Sequence, residues 1–107
     1  MSLSVSLTAV RPTCVFDYNI THNLGKMATE ACIYQCLWRP AEIGITKAEQ
    51  LIDPLTTGLT LLENDPEYFK QFNHESGWGT YENLVEFVRS YLEACKENPD
   101  AEIYASR

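Results

Sequence analysis

The chain has 107 residues, 45% of them apolar, and its eight Lys and Arg against 15 Asp and Glu give a formal net charge of −7. That length fits one domain with one modest core, and the composition is that of a folding chain rather than a disordered one. The negative balance argues against a nucleic-acid backbone as partner, and no apolar run is long enough to span a membrane.

Residues 1–12 show no clear period, and Arg11-Pro12 disfavours helix there, so this stretch reads as an extended or disordered arm ahead of a single domain over 13–107. The start lacks the basic and apolar regions of a secretory signal. A cytoplasmic protein with Cys14, Cys32, Cys36 and Cys95 as free thiols is therefore expected. Cys14 to Ile20 alternates Cys14, Phe16, Tyr18 and Ile20 against Val15, Asp17 and Asn19, the pattern of a half-buried strand.

Thr21 or Asn23 can cap the helix that follows. Leu24, Met27, Ala28 and Ala31 form its apolar face, which Ile33, Tyr34, Leu37 and Trp38 continue until Arg39-Pro40. Thr46-Lys47-Ala48-Glu49 reads as a capping box opening a helix with a stripe of Leu51, Ile52, Leu55, Leu59 and Leu62. Pro54 should bend that helix and Gly58 weaken it. Asp65-Pro66-Glu67 starts a short helix through Phe72. Thr80 caps a last one, whose Tyr81, Leu84, Val85, Val88, Tyr91, Leu92 and Cys95 face the core. Ala101 to Ser106 is a candidate second strand. The expected architecture is α+β, with about four helices packed on a small antiparallel sheet formed by N- and C-terminal strands.

Few catalytic patterns are present. Cys32 and Cys36, four apart, could begin a zinc site with His22 or His74, but CxxC and HExxH are absent and no metal is expected. Ser76 lies in a loop without a nucleophile elbow, and Asp17 and Glu82 have nothing to fix them as an acid–base pair. No phosphate-binding glycine motif occurs. Gly77-Trp78-Gly79-Thr80 does deliver the chain to a helix start, and Thr21-His22-Asn23 opens another. If these starts converge, His22, Asn23, Asn73, Trp78, Gly79, Thr80 and Tyr81 make one polar corner, the candidate ligand site.

Phe16-Asp17-Tyr18-Asn19-Ile20-Thr21-His22-Asn23-Leu24 with Met27-Ala28, the stretch Asn73–Glu82 ending Gly77-Trp78-Gly79-Thr80-Tyr81-Glu82, and Asn98-Pro99-Asp100-Ala101 together resemble a group of small uncharacterised proteins of bacteria and their phages. The resemblance spans roughly residues 15–106 and implies a folded domain, with no substrate or catalytic residue attached to it. The expectation is a non-catalytic module binding a protein partner or a small polar ligand, with no cofactor, nucleic acid or membrane. One alternative is a small enzyme acting on a polar or phosphorylated metabolite at the His22/Trp78 corner. Another is a homodimer using an aromatic surface that includes Tyr34 and Trp38.

Overall fold

A computed structural model describes residues 2–8, 14–73, 77 and 79–106. Three strands, β1 (Ser2–Thr8), β2 (Cys14–Thr21) and β3 (Glu102–Ser106), form an antiparallel sheet in the order β2-β1-β3. Five helices among the described residues pack on it: α1 (Gly25–Glu30), α2 (Tyr34–Trp38), α3 (Glu49–Asn64), α4 (Pro66–Lys70) and α5 (Tyr81–Glu97). The α+β class is as expected, with one strand and one helix more.

The additional strand changes the topology. Residues 2–8, expected as an arm, form the middle strand, and the two expected strands pair with it rather than with each other. Ser-Leu-Ser-Val-Ser-Leu-Thr is in fact a strict period of two, with Leu3, Val5 and Leu7 buried and the serines between them half-buried. Serine is no strand former, so local propensity hides this strand. Its apolar row pairs Leu3 with Ile20, Val5 with Tyr18 and Ala105, and Leu7 with Phe16 and Ile103, which places one continuous apolar face over the helices.

The additional helix comes from a break at Cys32. Cys32 is exposed and adopts φ 63°, while its N–H donates to Thr29 O (3.0 Å) and that of Ile33 to Ala28 O (2.9 Å). These two bonds form a Schellman ending with a cysteine in the position where glycine is usual. The turn ends α1 and swings Ile33 into the core beside Gly58 of α3, so the expected continuous helix becomes two. It also separates Cys32 from buried Cys36, which no longer share a helix face.

The expected capping box at Thr46 is replaced by another device. The helix begins at Glu49, and Gln50 Oε1 accepts from the N–H groups of Thr46 (2.8 Å) and Lys47 (3.0 Å). The segment before it is held to the C-terminal strand, with Ala48 N–H donating to Ala101 O and Ile103 N–H to Thr46 O. Asp65 and Thr80 cap α4 and α5 as their sequences predict.

Helix α5 runs antiparallel to β2 beneath the sheet: Tyr91 stacks on Phe16 (5.3 Å between centroids, 4° between planes), and Phe87 lies 5.0 Å from Tyr18. Phe87, absent from the predicted core stripe, is fully buried. Tyr91 is fully buried as well, and its hydroxyl has no hydrogen-bond partner among the described residues. Burial, with smaller contributions from Cys95 and Cys36, pushes this phenol well above its ordinary range. Burial also pushes the Cys95 thiol up to about 12, so it is a packing group rather than a nucleophile. Tyr91→Phe keeps both ring contacts and removes an unsatisfied polar atom. It should raise the unfolding free energy by about 1 kcal/mol in urea titrations. A loss of that size would mean the hydroxyl is bonded.

Candidate functional site

The sheet and α5 leave an open cleft of about 540 Å³ where the end of β2 meets the start of the helix. Tyr18, Asn19, Ile20 and Thr21, four consecutive residues of β2, line one side. Side chains on a strand alternate between its faces, so a run of consecutive lining residues means that the cleft follows the strand's edge. Ser2 extends the wall on the outer face, Asn83 closes the helix side, and Asn23, Leu24 and Gly79 form the end.

Each wall is fixed locally. Asn19 Nδ2 donates to Ser4 Oγ (2.8 Å) and Ser2 Oγ (3.1 Å), tying β2 to β1 and leaving its Oδ1 without a partner among the described residues. Thr21 Oγ1 accepts from Asn23 N–H (3.2 Å) and caps the 3-10 turn His22–Leu24. Thr80 and Asn83 form a reciprocal capping box, with both bonds at 3.3 Å, so Asn83 Oδ1 is spent on the Thr80 N–H. The two chain segments meet at Gly79. There φ is +107°, and a Cβ would stand 3.0 Å from Asn23 Cβ and 3.1 Å from Thr21 Cγ2. Only glycine permits both the conformation and the approach.

The two helix starts therefore do converge, but the predicted residues divide. Asn23 and Gly79 line the cleft, and Thr80 caps the helix beside it. Asn73 Oδ1 accepts from the Tyr81 N–H (2.7 Å), and the Tyr81 hydroxyl donates to Leu62 O (2.7 Å), so both residues brace α5 against its neighbours. His22 is outside the cleft lining: its Nε2 is buried, without a partner among the described residues, and its ring lies 6.1 Å from that of Trp38. Trp78, His74 and Ser76 lie outside the described residues. Trp38, a candidate interface aromatic, is only 3% exposed and stacks on half-buried Tyr34 at 5.1 Å, so it is a core residue.

Ser2, Tyr18, Asn19, Ile20, Thr21, Leu24 and Asn83 join the candidate set from the structure. Asn19 and Thr21 had a signal in their alternation with Tyr18 and Ile20, whereas Ser2 had none without β1. Chemically, the described lining offers amides, hydroxyls, backbone and one aromatic ring. It includes no imidazole, carboxylate, thiol or cation. Its one titratable group, the Tyr18 phenol, is raised above its ordinary value by burial and then by Glu86. It is therefore a hydrogen-bond donor at neutral pH and not a base. No group of three or more His, Cys, Asp or Glu suited to a metal occurs among the described residues, and no described helix is long and apolar enough to cross a membrane. Comparison with protein-family models, curated proteins and solved structures finds no match.

Proposed function

We propose that this chain is a non-catalytic binding module whose ligand lies in the cleft between β2 and the start of α5. The observation that carries this reading is the lining itself: a pocket-sized space walled by neutral hydrogen-bonding groups and two aliphatic side chains, with no imidazole, carboxylate, thiol or cation among its described residues to activate a hydroxyl. The same lining bears on the enzyme alternative. Its His22 is turned towards Trp38, and a phosphorylated substrate would find no cation on the described walls. Buried Cys36 and Cys95, both free thiols, suit the reducing cytoplasm.

A panel of sugars, nucleosides, amides and short peptides, titrated against labelled protein and followed by amide NMR, tests the reading. Saturable shifts should concentrate in residues 18–24 and 79–83, and no panel member should be turned over. Shifts centred elsewhere, or turnover of any compound, would overturn it.

A further inference from the structure

The hydrogen bonds of the fold use one polar atom of each amide in the cleft wall and leave the other. The Thr80 N–H can only donate, so its bond fixes Asn83 Oδ1 as the acceptor and leaves the two donors of Asn83 Nδ2 without a partner among the described residues. Across the cleft, Asn19 Nδ2 is spent on Ser2 and Ser4, and its Oδ1 is left. Thr21 Oγ1 accepts from the Asn23 N–H and keeps its own O–H to give. Ile20 and Leu24 add apolar surface. Phe16 stacks beside Tyr18, 6.0 Å between centroids, and lies outside the lining, so the cleft meets the Tyr18 ring from the Ile20 side.

An anion has no counterpart on these walls. None of the described bases lines the cleft. Lys70 lies 3.8 Å from Glu82 and over the Tyr81 ring, Lys26 lies over the Phe72 ring, and Arg89 bonds Glu63 at 2.8 Å. Exposed Lys96 stands about 20 Å further along α5 than Asn83. The helix start is spent as well. The N–H groups of Thr80, Tyr81 and Asn83 bond the side chains of Asn83, Asn73 and Thr80, and Glu82 places a carboxylate in the first turn. With exposed Glu86 one turn on and a net charge of −7, a phosphate or carboxylate is repelled here.

We infer that the cleft binds an uncharged saccharide. A pyranose is polar round its rim and apolar on its C–H face, and the cleft has the matching arrangement. Asn83 Nδ2 on the helix side donates to a ring or hydroxyl oxygen, Asn19 Oδ1 on the strand side accepts from a hydroxyl, and the C–H face lies against Tyr18 with Ile20 and Leu24. Tyr18 to Thr21 give a wall about 10 Å long, and the cleft is open, so a disaccharide fits better than a single ring. A nucleoside is the poorer occupant. Its base needs an aromatic face to stack on, and the one aromatic ring of the described lining already stacks on Phe16 and packs against Phe87. The described lining also lacks the pair of carboxylates that glycoside hydrolysis requires, so the sugar is bound and not cleaved. This inference rests on the cleft being the binding site and adds the class of its ligand.

The test titrates the full chain with cellobiose, maltose, lactose and diacetylchitobiose, and with glucose 6-phosphate, glucuronic acid, adenosine and a capped tetra-alanine peptide, followed by amide NMR. At least one neutral disaccharide should shift residues 18–24 and 79–83 saturably, and the two anionic sugars should not. Asn83→Asp keeps an acceptor for the Thr80 N–H and removes both donors. It should leave Tm unchanged within a few degrees and weaken disaccharide binding by about tenfold or more. Tyr18→Leu should weaken binding as well, and Tyr18→Phe, which keeps the ring, should weaken it less. The saccharide inference fails, with the cleft reading intact, if only adenosine or the peptide shifts these residues, if an anionic sugar binds as tightly as the neutral ones, or if Asn83→Asp binds disaccharide like the unaltered protein. Both fail if no compound shifts residues 18–24 and 79–83.

Discussion

Gly58→Ala should destabilise the protein by about 2 kcal/mol, lowering Tm by roughly 8–10 °C for a domain of this size. Helix propensity alone gives the opposite sign, since alanine in the interior of a helix is favoured over glycine by about 1 kcal/mol. Packing decides the matter here. A Cβ on Gly58 would overlap Cγ2 of Ile33, and it would touch Ala31 O at 3.5 Å. Ile33 is 1% exposed and follows the left-handed turn at Cys32, so the added methyl group can be accommodated only by repacking within the close-packed core. Thermal and urea unfolding followed by circular dichroism reads the effect. Combining Gly58→Ala with Ile33→Ala should cost less than the sum of the two single changes, because the smaller side chain makes room for the new methyl group. Additive losses would show that the two residues do not compete for space.

Leu7→Ala should cost about 3 kcal/mol of unfolding free energy, with an unchanged urea m-value. Leu7 is fully buried on the middle strand, opposite Phe16 on one side and Ile103 on the other. Its loss would open a cavity under both outer strands. Were residues 2–8 a dangling arm, the same substitution would change stability by no more than about 0.5 kcal/mol. The measurement therefore separates an integral strand from an appendage, and a near-zero result would remove β1 from the folding unit.

The sequence alone determined the elements whose signals are local. The alternation from Cys14 to Ile20, the Asp65-Pro66-Glu67 start, the Thr80 cap and the long amphipathic stripe of the last helix each depend on neighbours within about four residues, and each is realised in β2, α4 and α5. The sequence also marked two helix starts, through the glycines before Thr80 and the polar residues after Ile20, and left open whether they meet. Tertiary structure decided what depends on distant partners. It placed the serine-rich β1 at the centre of the sheet, where burial of Leu3, Val5 and Leu7 outweighs serine's poor strand propensity. It cut the first helix at Cys32, where burial of Ile33 against Gly58 accompanies a left-handed residue. Tertiary packing directed Asn73 and Tyr81 into bracing bonds and set Asn19, Thr21 and Asn83 along the cleft, each with one polar atom already bonded to the fold. A residue type states what a side chain can donate, accept or bury; only its neighbours across the fold determine whether that capacity is spent on the structure or left for a ligand.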